Sequence, residues 1–151
     1  MIDVPIYHHP DYPVRRAYKG DAGLDLPTIS AKWMGEEMGC WLLKTGVHVA
    51  IPEGYEGQVR MRSSVGRNGL FICNSPGTID SGYRGEITGY VFSAVDPRKS
   101  VCFPDFPQAL GCCTFQLVIC PVPKVNLITV GSPSDLPPGV RGDKGFGSSG
   151  R

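Results

Sequence analysis

Neither sign of charge dominates this sequence. Fifteen basic residues stand against fourteen acidic ones, a formal net charge of +1 over 151 residues. Neither sign forms a long run, so a nucleic-acid groove or a polybasic membrane face receives no support. A polyphosphate ligand would have to be met by a few placed cations. Long apolar runs are missing too: no window approaches the ~18 uninterrupted apolar residues that a membrane-spanning helix needs. Residues 1–10 lack a charged start followed by an apolar core. The expectation is a soluble, unsecreted protein of the cytoplasm, or of a host's cytoplasm if the source is viral. Histidine is scarce, with only His8, His9 and His48, and the six cysteines contain no Cys-x-x-Cys pair. Neither a zinc site nor a disulfide framework is expected, and the thiols read as reduced and packed.

Glycine and proline are abundant instead, twenty and fourteen respectively, and they punctuate the whole chain rather than collecting in one linker. Long helices cannot fit between such breaks. Short β-branched or alternating stretches fill the gaps at 42–51, 57–61, 70–73, 86–93, 115–122 and 125–130, and many short strands at turn spacing point to an all-β barrel or sandwich. Residues 63–69 are the one helical candidate, a turn or two at most, and read better as a functional loop. Residues 97–109 read as a long surface connection. The length fits one domain, with a β-barrel core at 1–131 and an extended arm at 132–151. The arm carries Pro133, Pro137 and Pro138, then Gly139, Gly142, Gly145, Gly147 and Gly150.

Five patches put glycines, hydroxyls, Asp and Arg where turns are expected: Ala22-Gly23-Leu24-Asp25-Leu26, Arg62-Ser63-Ser64, Gly77-Thr78-Ile79-Asp80-Ser81-Gly82-Tyr83, Gln116-Leu117-Val118, and the run from Arg141 to Gly150. Each has a structural explanation by itself. Asp25 suits a turn in which its side chain bonds its own backbone. Asp80-Ser81-Gly82 suits a hairpin turn. Gln116 suits a half-buried amide in an apolar strand, and the glycine-rich tail suits disorder.

Taken together and in this order, the five patches resemble the five motifs of the trimeric dUTPase family over most of the chain, from about Ala22 to Ser149. The third, with Tyr83-Arg84-Gly85-Glu86 beside it, is the most specific. The resemblance implies a jelly-roll-like all-β homotrimer that hydrolyses dUTP to dUMP and pyrophosphate with Mg²⁺, in sites to which different subunits contribute. Carried onto this sequence, it implies that Asp80 is the general base for the attacking water. It puts Tyr83 beneath the deoxyribose. Asn74, Gly77, Thr78 and Ile79, with the return strand at Thr88, would form a hairpin that reads uracil. Arg62, Ser63, Ser64 and Gln116 would hold the phosphates. Asp25 would hold metal-bound waters while the phosphates supply the direct ligands. Arg141, Phe146, Gly147 and Ser148 would close over the site from the arm.

Three departures stand out, one of them the 97–109 connection, longer than the short loop the resemblance leads one to expect. Ser64 replaces the family's usual glycine, and Cys112-Cys113 precede Gln116 where an acidic-basic pair is usual. Two other readings compete. Arg62 to Leu70 resembles the second motif of the related dCTP deaminases, but in Gly85-Glu86-Ile87-Thr88-Gly89-Tyr90 the deaminase's glutamate position holds Tyr90, whose unperturbed pKa of about 10 makes it no substitute. A non-enzymatic member of the fold that holds a regulatory partner would place that partner at 31–41 or 97–109. Such a binder would have no chemical need for Asp80.

Overall fold

The structure, a computed structural model, describes residues 1–94 and 111–143. Among these residues, ten short strands carry the fold. In chain order they are β1 (Ile6–Tyr7), β2 (Gly23–Pro27), β3 (Ser30–Trp33), β4 (Trp41–Lys44), β5 (His48–Val49), β6 (Tyr55–Met61), β7 (Leu70–Ile72), β8 (Gly77–Ile79), β9 (Thr88–Ser93) and β10 (Cys113–Pro121). One helical turn, α1 (Ser63–Gly66), follows β6. All pairings are antiparallel. One sheet runs β2-β10-β6-β8, a second β3-β4-β9-β7, and β1 pairs with β5 alone.

The two four-stranded sheets meet through a single apolar cluster. Leu26, Val59, Phe115 and Leu117 come from the first, and Leu43, Leu70, Ile72 and Val91 from the second. Alternation along β10 explains the division: Phe115 and Leu117 are fully buried, while Gln116 between them points to the other face. Burying a ring such as Phe115 contributes about 1.5–3 kcal/mol. It has room because residue 89 lacks a side chain: a Cβ there would sit 2.7 Å from Phe115 Cζ and 3.0 Å from Ile72 Cδ1. The result is the expected all-β, jelly-roll-like architecture.

Several local expectations need correction. The stretch 42–51 is two strands, β4 and β5, broken at Gly46, whose φ of 65° lies in the left-handed region. The stretch 86–93 is a strand only from Thr88. Asp25 lies not in a turn but inside β2, held by pairing with β10 (Gln116↔Asp25, Leu117↔Leu24). Residues 125–130 form no strand. They pair with no strand of the described chain, and Leu127 is 88% and Ile128 80% exposed. Strand propensity needs a partner edge before it becomes a strand. The expected hairpin of Gly77–Ile79 with Thr88 also fails as a hydrogen-bonded pair. β8 pairs with β6 in one sheet and β9 with β4 and β7 in the other, so residues 80–87 carry the chain between sheets.

The 31–41 segment is the turn-linked pair β3–β4, closed by the Trp33–Trp41 ring contact at 5.4 Å. The 97–109 connection lies outside the described residues. Cys40, Cys73, Cys112, Cys113 and Cys120 are free; Cys40 is buried, but Cys73 and Cys112 are exposed, so the expected packing of the thiols does not hold for them. Burial raises the Cys40 and Cys113 thiols above their ordinary range, with the nearby Cys73 and the Asp25 carboxylate as the respective second causes.

Candidate active site

Most of the sequence-predicted residues within the described chain fall into two separate pockets. The first, about 230 Å³, is lined by Asn74, Gly77, Thr78, Ile79, Asp80, Tyr83 and Thr88 together with Val59, Ile72 and Glu86. Its wall is β8, an edge strand hydrogen-bonded to β6 alone through Gly57↔Ile79, Gln58↔Thr78 and Val59↔Gly77. An edge strand keeps one row of peptide N–H and C=O groups for other partners, and such groups discriminate a carbonyl from an amine on a flat heterocycle.

The turn that follows is braced from several sides. The Asp80 carbonyl accepts the Tyr83 N–H at 3.0 Å, and Arg84 Nη1 donates to the carbonyls of Ser81 (2.6 Å) and Tyr83 (2.7 Å). The Tyr83 hydroxyl donates to the Glu86 carbonyl at 2.9 Å, and its ring lies over Gly85, where a Cβ would collide with it. Glu86 is tied in turn to the Gly46 N–H at 2.8 Å and to Lys44 Nζ at 3.6 Å. These contacts fix the Tyr83 ring and the Asp80 backbone. The Asp80 carboxylate itself is exposed and has no hydrogen bond or ion pair among the described residues, so it is available to a ligand or a water.

The second pocket, about 350 Å³, is lined by Asp25, Arg62, Ser63 and Gln116, with Ala17, Asp21, Ala22 and Gly23. Arg62 Nε pairs with Asp25 Oδ1 at 3.0 Å, and its Nη1 donates to the Cys113 carbonyl at 3.2 Å. Both side chains are partly exposed, so the pair serves to orient the guanidinium more than to stabilise the fold. Gln116 Nε2 donates to the Met61 carbonyl at 3.4 Å, and its side-chain amide lies over Gly23 in space that a Cβ would occupy. That close approach explains the glycine of the first patch.

Ser64 is exposed on α1 and lines neither pocket, and neither does Arg141, on the exposed segment ending the described chain. Phe146, Gly147 and Ser148 lie outside the described residues. Tyr90, at the deaminase glutamate position, is 38% exposed and also lines neither pocket. Sequence reasoning did not assign Val59, Ile72, Glu86, Ala17 or Asp21 to a site. Only the tertiary fold, which brings strands and connecting segments together around each pocket, identifies them.

A β-sandwich that offers a peptide-edged pocket for a ring and an arginine, hydroxyl and amide pocket for an anion has the parts of a nucleotide-handling enzyme. Residues 12–150 match the dUTPase family. The chain is 40% identical over 152 aligned positions to the deoxyuridine 5'-triphosphate nucleotidohydrolase of Streptomyces griseus, covering 99% of this chain and 74% of that one. Its fold matches a point mutant of the Staphylococcus bacteriophage 80alpha dUTPase solved with dUpNHpp, with a TM-score of 0.76 at 25% identity and full coverage of both chains. It also matches a point mutant of the phage phi11 dUTPase of S. aureus, whose structure reveals the coordination of a structural Mg(II) ion; there the TM-score is 0.65 at 24% identity, over 88% of this chain and 99% of that one. This chain belongs to the dUTPase family.

Proposed function

We propose that this chain hydrolyses dUTP to dUMP and pyrophosphate in a site assembled between copies of a homotrimer, with Mg²⁺ bound to the substrate. The observation that carries the assembled site is the division of the chemistry: Asp80 and the ring pocket share no lining residue with Asp25, Arg62, Ser63 and Gln116. A second copy that sets its anion pocket against the first copy's ring pocket completes the site. The exposed apolar segment with Val125, Leu127 and Ile128 gives such an assembly a surface to bury.

In this reading the β8 edge, Asn74 and Thr88 hold uracil, and the braced Tyr83 ring packs under the deoxyribose, leaving no space for a 2′-hydroxyl. Asp80 orients a water against the α-phosphate and takes its proton as the P–O bond forms. The negative charge gathering on the departing pyrophosphate falls to Arg62, Ser63 and Gln116, fixed donors of the kind from which phosphoryl chemistry gains most of its rate. Ser64 acts through its backbone. Asp21 and Asp25 give the anion pocket hard oxygen donors but no complete cage, which fits a Mg²⁺ ion whose direct ligands are phosphate oxygens and waters. When bound, the ion supplies charge neutralisation of the phosphate chain. The 132–151 arm, through Arg141, Phe146, Gly147 and Ser148, closes over the occupied site. No helix among the described residues is long and apolar enough to cross a membrane, and we place the enzyme in the cytoplasm.

The test is dUTP hydrolysis with Mg²⁺, using dCTP, dTTP and UTP as controls, alongside the mass of the assembly in solution. Release of pyrophosphate from dUTP alone by a particle of three times the chain mass is expected. Ammonia release from dCTP would overturn the hydrolase reading, and a monomer at full activity would overturn the shared site.

A further inference from the structure

The strand register aligns more charge beside the anion pocket than the five patches contain. Gln116 on β10 stands opposite Asp25 on β2 and, on its other side, opposite Arg60 on β6. Arg15 closes the row through an isolated antiparallel bridge to Asp25, with backbone bonds of 2.7 and 3.2 Å. Directly opposite residues in antiparallel strands project from the same face, Cβ atoms about 4.5–5.5 Å apart. Their neighbours Leu26, Val59, Phe115 and Leu117 fill the core, so Arg15, Asp25, Gln116 and Arg60 all point outward along one rung. The rung therefore reads cation, carboxylate, amide, cation.

The charges on it are not equally matched. Arg62, the pocket's own cation, is neutralised by Asp25. Arg60 forms no ion pair among the described residues. Its Nη2 donates to Gln58 Oε1, and Gln58 Nε2 donates in turn to Glu56 Oε1 at 2.8 Å, a ladder along the outer face of β6. That ladder aims the guanidinium through a neutral amide without cancelling its charge. Arg15 sits beyond Asp25, where an anion approaching it meets a carboxylate first. Arg60 sits directly beside the amide of Gln116.

We propose that Arg60 is a further binding residue for the phosphate chain, extending the Arg62–Ser63–Gln116 cradle along the rung. The proposal rests on the hydrolase reading above. A triphosphate carries several negative charges, and one arginine already matched by a carboxylate leaves most of them to the metal and to any neighbouring cation. Arg60 is the nearest unmatched one in the register, and its planar fork suits phosphate oxygens.

The experiment compares steady-state dUTP hydrolysis, with saturating Mg²⁺, by the wild type, Arg60→Gln and Arg60→Glu. It adds inhibition by deoxyuridine, which carries no phosphate, and the assembly mass of each variant. Loss of one charge-assisted contact raises KM for dUTP about tenfold in Arg60→Gln. Arg60→Glu raises it further, while kcat stays within about threefold and deoxyuridine inhibition within about twofold, the pattern of a pure binding contact. An unchanged KM in Arg60→Gln, equal KM values in the two variants, weakened deoxyuridine inhibition or an altered assembly mass would each overturn the assignment while leaving the hydrolase reading intact. A wild type inactive on dUTP would remove that reading and this inference with it.

Discussion

Asp80→Asn isolates the proposed general-base role from everything else Asp80 does. The substitution exchanges one carboxylate oxygen for an amide nitrogen of nearly the same size. No side-chain hydrogen bond or ion pair of Asp80 is lost among the described residues, because the carboxylate has none. The backbone contact that shapes the turn, Tyr83 N–H to the Asp80 carbonyl at 3.0 Å, is kept, and the Arg84 clamp on Ser81 and Tyr83 does not involve the altered group. Fold and ring pocket should therefore survive. What disappears is the ability to accept the water's proton, worth about two to four powers of ten in rate, or about 3–5.5 kcal/mol of barrier. The assay is pyrophosphate release at saturating dUTP and Mg²⁺, with dUpNHpp titrated to measure binding separately. The expected result is kcat reduced by about 10²–10⁴ with analogue affinity within about tenfold. Near wild-type kcat would refute the assignment, and a fall in kcat matched by an equal loss of analogue binding would make Asp80 a substrate-holding group instead.

What could be read from the residues alone divides along a physical line. Stretches whose own side chains alternate, such as Phe115 to Ile119, announce their strand because burial of one face is a local pattern. β2 does not. Gly23, Asp25 and Pro27 favour turns locally, and the edge of β10, with the Arg15 bridge to Asp25, holds them extended, a tertiary preference overriding a local one. The reverse error occurs at 125–130, where Val125, Leu127, Ile128 and Val130 look like a strand but the described chain offers them no edge. The same distinction governs the site. Asp80, Tyr83, Arg62 and Gln116 are recognisable as a set of residue types in order. Glu86, Asp21 and Arg60 are not, because their relevance comes from register and from contacts across forty or more residues, such as Glu86 with the Gly46 N–H.

The position of β8 links recognition to chemistry. A strand of three residues, hydrogen-bonded on one side only, presents fixed donors and acceptors on the other, and its last residue, Ile79, leads directly to Asp80. Ring recognition and the proposed water-activating carboxylate thus sit on one rigid element, tied to the core through Gly57 and Val59. Peptide groups discriminate well only when water is excluded, since an unmade hydrogen bond is costly only in a dry site. Among the described residues of one chain, no strand pairs with this edge. The same edge that makes the pocket useful therefore requires a cover, which is why an assembled site and a closing arm belong to one reading.

Three further perturbations follow from the geometry. Gly89→Ala places a methyl 2.7 Å from Phe115 Cζ and should cost about 1–3 kcal/mol by overpacking; a denaturation midpoint equal to wild type would show that the sheets are less tightly packed than described. Asp25→Asn removes the partner of Arg62, and because both groups are partly exposed it should change stability by under about 1 kcal/mol. Activity at limiting Mg²⁺ should nonetheless fall about 10- to 100-fold, as for other groups that orient metal-bound waters, and unchanged Mg²⁺ dependence would remove Asp25 from that role. Deleting residues 140–151 takes away Arg141, Phe146, Gly147 and Ser148 while keeping every described residue that forms the apolar core or lines either pocket. The truncated chain should therefore fold and assemble as the whole one does. Its ring and anion pockets would still bind nucleotide weakly, but without closure water stays in the site and the reacting groups are less well held, a loss of at least about a hundredfold in turnover. In the untruncated chain, dUpNHpp with Mg²⁺ should protect the arm from protease. Unchanged kcat after truncation would make the arm a passive tail and withdraw the roles proposed for all four of its residues.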